Sequence, residues 1–177
     1  MKIHHEVEHK VILTKQKDYR VIMVVKVFLW KSSSKKSFGH ISMELEDGTY
    51  ISWWPETRME DLVQAAIGTN AKWFESLNAE INHNQASPTE TFYLLGLNEG
   101  NIKVWFQGYL SGSCKWDIMT RSCAAIVYHA LCEGADFFAG KATDIVTPEG
   151  VAELVRRYTT DKKVDKVVVS SCKPKIK

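Results

Sequence analysis

The sequence predicts an α+β domain on three observations: an apolar run that reads as a strand, a strand-turn-strand stretch behind it, and amphipathic helical patterns gathered in the C-terminal half. There is no internal repeat. The 177 residues suffice for one domain with a sizeable core and are too few for two ordinary ones. Residues 1–177 are therefore expected to form a single domain, with flexible ends at 1–10 and 172–177.

Taken in order, residues 21–30, VIMVVKVFLW, are rich in Val, Ile and Phe and predict a strand buried on both faces. A polar loop is expected over 32–37. The stretch 38–55, FGHISMELEDGTYISWWP, then reads as a hairpin. Its Asp47-Gly48 suits either a two-residue type I′ turn or a type I turn whose glycine closes a G1 bulge. In the bulged form Leu45 pairs with Thr49, and His40, Ser42, Ser52 and Trp54 line one face. In the two-residue form Ser52 faces Met43 on the other side.

Pro55 closes the hairpin. Residues 58–77 carry two weak helical patterns separated by Gly68-Thr69-Asn70, and the polar run 78–90 reads as loop. A short strand is expected over 91–97. Asn98 is placed to cap a helix whose Ile102, Trp105, Phe106 and Tyr109 recur at helical spacing, a core-facing stripe. Ser111-Gly112-Ser113 breaks it. Thr120 or Ser122 caps the next helix, with Ile126, Val127, Ala130 and Leu131 buried and Gly134 at its end. Thr147-Pro148-Glu149 opens another, with Val151, Leu154, Val155 and Tyr158 facing inward. Residues 166–171 are expected to add a last strand.

Composition excludes several classes of function. A net charge of +2 supplies no overall field for nucleic acid, and Lys31, Lys35 and Lys36 read as a solvated loop. The N-terminal MKIHHEVEHK has charges where a signal peptide needs an apolar segment. The run 21–30 is interrupted by Lys26 and too short to span a bilayer. No transmembrane segment is expected, and the location is expected to be cytoplasmic or reached by export without a signal peptide. The four cysteines, Cys114, Cys123, Cys132 and Cys172, stand apart rather than in a dense disulfide framework, which points to a reducing compartment. His129 and Cys132 share a helix face with Cys114 as the obvious third ligand, short of the tight set a zinc site needs. No metal or other cofactor is expected. His4, His5 and His9 read as a solvated end.

The chemistry concentrates at Cys123. It falls in the first turn of a helix, where unpaired backbone N–H groups and the positive end of the dipole favour a thiolate. Ala124 and Ala125 leave the sulfur uncrowded. Paired with a strand histidine, a helix-terminal cysteine is what nucleophilic thiol catalysis requires. Of Trp53 and Trp54, one is expected in the core and the other beside the Cys–His pair, as an apolar wall.

"GHISMELEDGTYISWWP" followed far downstream by "KWDIMTRSCAAIVYHALCEGA" resembles the circularly permuted NlpC/P60 branch of the papain-like cysteine hydrolases, in which the His strand precedes the Cys helix. The His-bearing hairpin is also similar to that of the lecithin retinol acyltransferase-like proteins. "GLNEGNIKVWF" and "VTPEGVAELVRR" extend the likeness over most of residues 38–157. The resemblance implies a papain-like fold, an antiparallel sheet packed against the Cys-bearing helix. It makes Cys123 the nucleophile and His40 the general base, with Ser52 in the position that orients the imidazole. This chain has Ser122 where many relatives place Asn before the Cys, and Ser52 where acyltransferase-like members have a second His. A serine orients an imidazole less firmly than a carboxylate, so Asp117 or a backbone carbonyl is an alternative third partner.

The leading functional expectation is a cysteine hydrolase of the amidase or peptidase type, acting through an acyl-enzyme on an amide-, ester- or thioester-containing substrate, a protein or a lipid. The same pair would also serve an acyltransferase, thioesterase or lipid esterase. A third reading keeps the fold as a binding module with a decayed site.

Overall fold

In strand β1 (Val24–Trp30) the residues Val25, Val27 and Leu29 alternate with Phe28 and Trp30, all buried, so both faces are apolar and the strand belongs inside a sheet. The computed structural model describes residues 24–32, 39–57, 62–112, 114–141 and 146–161. The flexible ends expected at 1–10 and 172–177, the three N-terminal histidines, Cys172 and the strand expected over 166–171 lie outside the described residues. So do residues 21–23, most of the loop 32–37 and the turn residue Ser113. The strands β2 (His40–Glu44), β3 (Tyr50–Ile51) and β6 (Glu90–Leu95) join β1 in a sheet of order β3-β2-β1-β6. Two more short strands, β4 (Trp54–Pro55) and β7 (Lys115–Trp116), flank β5 (Thr69–Lys72) in a three-stranded sheet. Every ladder among the described residues is antiparallel. The architecture is α+β.

The hairpin takes the bulged form. Gly48 N–H bonds the Leu45 carbonyl at 3.0 Å and Leu45 N–H bonds the Thr49 carbonyl at 2.9 Å. Gly48, at φ +85°, adopts the left-handed conformation the bulge demands. Met43 then pairs with Ile51 and Glu44 with Tyr50. With side chains alternating along each strand, His40, Ser42, Tyr50, Ser52 and Trp54 fall on one face.

Ile41, Met43, Ile51 and Trp53 line the opposite face and belong to the main core. Val25 and Val27 of β1, Leu94 of β6 and the helices α3 (Glu99–Leu110), α4 (Cys123–Gly134) and α5 (Pro148–Asp161) also contribute to it. Their caps are the expected ones: Asn98 accepts from Asn101 N–H at 3.1 Å, Ser122 from Ala125 N–H at 3.3 Å and Thr147 from Gly150 N–H at 3.1 Å. The helix α4 packs against β2 and is buried over most of its surface, Cys123 included.

Two expectations over 58–90 are corrected. Of the two helical patterns, the first forms α1 (Leu62–Ile67) and the second gives way to strand β5. Gly68 turns the chain at φ +87°, and Ala71 then pairs with Pro55 and Lys72 with Trp54. The run read as loop contains α2 (Leu77–Asn84). Ser76 caps it by accepting from Ala79 N–H at 3.3 Å, and Leu77 and Ile81 pack on Phe28, Trp30 and Tyr50. Beyond its end the Trp30 indole N–H bonds the Ala86 carbonyl at 2.9 Å. A short polar helix is thereby held by tertiary contacts rather than by propensity. No helix among the described residues is long and apolar enough to cross a membrane.

Gly39 sets the entry to β2. Its φ is +71°, and a Cβ there would stand 2.7 Å from the Trp30 carbonyl oxygen. Gly39→Ala is expected to cost about 2 kcal/mol in chemical denaturation, from left-handed strain plus the backbone displacement. It should also shift the His40 imidazole resonances by NMR. A variant with wild-type stability and unshifted His40 signals would contradict this account.

Candidate active site

His40, the first residue of β2, is 3 % exposed. Its Nε2 lies 2.8 Å from Oε1 of Glu80, and Cys123 adjoins the imidazole closely enough to raise its pKa. With Nε2 committed to the carboxylate, Nδ1 is the ring nitrogen left for the sulfur. The Trp54 ring stacks on the imidazole, centroids 4.0 Å apart, and Trp30 lies tilted against it at 5.5 Å. The ring has one orientation to adopt.

Glu80, on α2, is fully buried. Its Oε1 accepts from His40, from the Ser52 hydroxyl and, at 2.7 Å, from the Trp54 indole N–H. Its Oε2 accepts from Ser42 at 2.7 Å and from Tyr50 at 2.5 Å. A carboxylate offers about four lone-pair sites, so these donors saturate it. They come from one hairpin face, which only the bulged register assembles.

The electrostatics follow from this geometry. Burial would raise the carboxyl pKa of Glu80, but His40, Ser52 and Trp54 outweigh it and hold the group down at about 2. Burial likewise works against a charged His40. The negative charge and hydrogen bond of Cys123, then those of Glu80, overcome it and raise the imidazole to about 9. The Tyr50 phenol is pushed above its ordinary range by burial and by the adjoining Glu80, so it stays a donor.

Cys123 stands at the first position of α4, immediately after the cap. Ala125 N–H goes to the Ser122 hydroxyl and Ile126 N–H to the Ser122 carbonyl. The N–H groups of Cys123 and Ala124, at the start of the helix, are the orphan donors such a terminus presents to a negative charge. Ser122, where the resemblance leads to an expectation of Asn, serves as the cap of the helix that begins at Cys123.

Of the residues expected to act, the structure brings Cys123 and His40 together. Ser52 is on the expected face but bonds Glu80, so its hold on the imidazole runs through that carboxylate. Asp117 is not the third partner. It turns back on its own loop, accepting from Thr120 N–H at 2.7 Å and pairing with Arg121 at 2.6 Å. Trp53 is core, and Trp54 does more than form a wall, since it both stacks on His40 and donates to Glu80. Among the described residues no group of three His, Cys, Asp or Glu side chains converges as a metal ion requires.

Glu80 and Tyr50 were missed. The signal for Glu80 was present in Ser76 as a cap and in Leu77, Glu80, Ile81 and Asn84 at helical spacing. That for Tyr50 was its shared parity with Ser52 and Trp54. No family model, curated protein or solved structure matches the chain.

Proposed function

We propose that the chain is a cysteine hydrolase of the amidase or peptidase type, in the circularly permuted papain-like arrangement, with Cys123 as nucleophile, His40 as general base and acid, and Glu80 as the residue that orients the imidazole. The observation that carries this reading is the buried imidazole held between a saturated carboxylate and the first residue of a helix. A His40 raised to about 9 is charged at neutral pH and adjoins the Cys123 sulfur, the arrangement that nucleophilic thiol chemistry uses.

In the acylation step the Cys123 sulfur adds to the substrate carbonyl carbon and forms a C–S bond. The oxygen gathers the negative charge near the Cys123 and Ala124 N–H groups. His40 passes its proton to the leaving nitrogen, the C–N bond breaks, and an acyl thioester remains. Water then attacks the thioester carbonyl as His40 takes its proton. The C–S bond breaks, releasing the acid and the thiolate. Glu80 holds the imidazole through both proton transfers and stays ionised throughout. Five polar side chains directed at one carboxylate support a working site over a decayed one. An acyl group discharged by an added amine or alcohol instead of water would mark the transferase.

Thiol labelling tests the reading. Burial pushes the Cys132 thiol up, whereas Cys123 adjoins an imidazole that is charged at this pH. At pH 6, brief exposure to iodoacetamide should label Cys123 at least about tenfold faster than Cys132 by peptide mass spectrometry. Equal or slower labelling of Cys123 would sink the nucleophile assignment.

A further inference from the structure

Lys72 lies directly across the β4–β5 ladder from Trp54, so both side chains project from one face of the small sheet. Trp54 is the ring stacked on His40, so Lys72 lies one strand away from the proposed base. The Lys72 ammonium sits over the Phe74 ring, 5.5 Å from its centroid. Phe74 meets Trp54 edge-on at 6.4 Å and His83 at 4.9 Å. His83 in turn meets Trp54 at 5.3 Å. Lysines 26, 31 and 103 each hold a carboxylate, while Lys72 has no acidic partner among the described residues. It is half-buried, its ammonium over the Phe74 ring. Burial, followed by the positive charge of Lys72, lowers the His83 pKa, so that ring stays neutral and able to hydrogen-bond.

We propose that Lys72, with Phe74, Trp54 and His83, forms a subsite beside the Cys123–His40 pair that binds an anionic oxygen-bearing group of the substrate, a carboxylate or a phosphate. The inference rests on the proposed thiol chemistry and adds the substrate's charge. The ammonium supplies the counter-charge, the His83 ring a hydrogen bond, and the two aromatic faces contact the carbon skeleton that carries the anion. Glu80 is saturated by its own donors on the hairpin face.

Three alkylating probes test this: N-iodoacetyl-phenylalanine with a free carboxylate, its carboxamide, and N-iodoacetyl-O-phosphoserine amide. In each the Cys123 sulfur displaces iodide and forms a C–S bond, and the rate is followed by intact mass against probe concentration. At least one anionic probe should reach half-saturation at about tenfold lower concentration than the carboxamide, as expected for a charge-assisted contact. Preference for the carboxylate or for the phosphate identifies the source of the anion. Lys72→Met should remove the difference in half-saturation. Lys72→Arg should keep it, and so should Lys103→Met, which removes the lysine paired with Asp47 at the hairpin turn. Equal half-saturation for all three probes would overturn the subsite, as would a preference that survives Lys72→Met or vanishes equally in Lys103→Met. Alkylation of Cys123 by the carboxamide no faster than that of Cys132 would overturn the thiol chemistry and the subsite together.

Discussion

Glu80→Ala should lower the unfolding free energy by about 3–5 kcal/mol, the range for removing one partner of a buried charged network. The variant leaves the donors of His40, Ser42, Tyr50, Ser52 and Trp54 aimed at an empty space under the sheet. Glu80→Gln keeps the volume and one acceptor oxygen but turns an amide NH2 toward donors, so it should fall between Ala and wild type. The measurement is urea denaturation followed by tryptophan fluorescence, since Trp30 and Trp54 both contact the His40 ring. A loss under about 1 kcal/mol for Glu80→Ala would mean the cage is not a buried network.

The same pair shapes stability against pH. Glu80 has its folded pKa depressed from 4.5 to about 2. Its contribution is fully present above the unfolded value and is lost as pH falls through 4.5 toward 2. His40 has its folded pKa raised from 6.5 to about 9. Its contribution is fully present below 6.5 and lost as pH rises through 9. The thermal midpoint should therefore be highest between about pH 4.5 and 6.5 and fall on both sides. Because the charge of Cys123 is the largest influence raising His40, Cys123→Ala should move the alkaline limb to lower pH.

Cys123→Ser is expected to abolish covalent turnover while leaving the fold intact. The hydroxyl keeps the size and burial of the thiol but lacks its acidity, so no acyl adduct should form on exposure to acyl-reactive probes or to peptide, thioester and lipid ester substrates. His40→Ala should lower adduct formation by about 10³-fold or more, the scale for a group that activates a nucleophile. The double variant should be no worse than the worse single one, because both residues serve one step. Ser52→Ala should cost less than His40→Ala, since Glu80 keeps its other donors. Intact-mass detection of the adduct decides the matter. A wild-type protein that never acquires an adduct at Cys123 would leave the binding module in place of the enzyme.

Much of this was legible in the residues themselves. The alternation of β1, the caps at Asn98, Ser122 and Thr147, and the apolar stripes of α3, α4 and α5 are local patterns. Local sterics and hydrogen bonding decide them, so those elements, and the place of Cys123 at the start of a helix, follow from the order of the residues. Asp47-Gly48 narrowed the hairpin to two registers but could not choose between them, because both satisfy the turn. Packing chose. Only the bulged register sends Ser52 and Trp54 to the same face as His40, where Glu80 waits.

The second helical pattern of 58–77 and the polar run of 78–90 failed for a related reason. Thr69–Lys72 becomes a strand because two other strands offer it ladder bonds, and Leu77–Asn84 becomes a helix because Phe28, Trp30 and Tyr50 take up its two apolar side chains. Neither partner is near in sequence. A carboxylate in a polar run carries no sign that five donors from a distant hairpin will surround it. The tertiary structure alone decided that Glu80, and not Ser52 or Asp117, meets the imidazole, since a buried charge is tolerated only where enough donors converge to replace water.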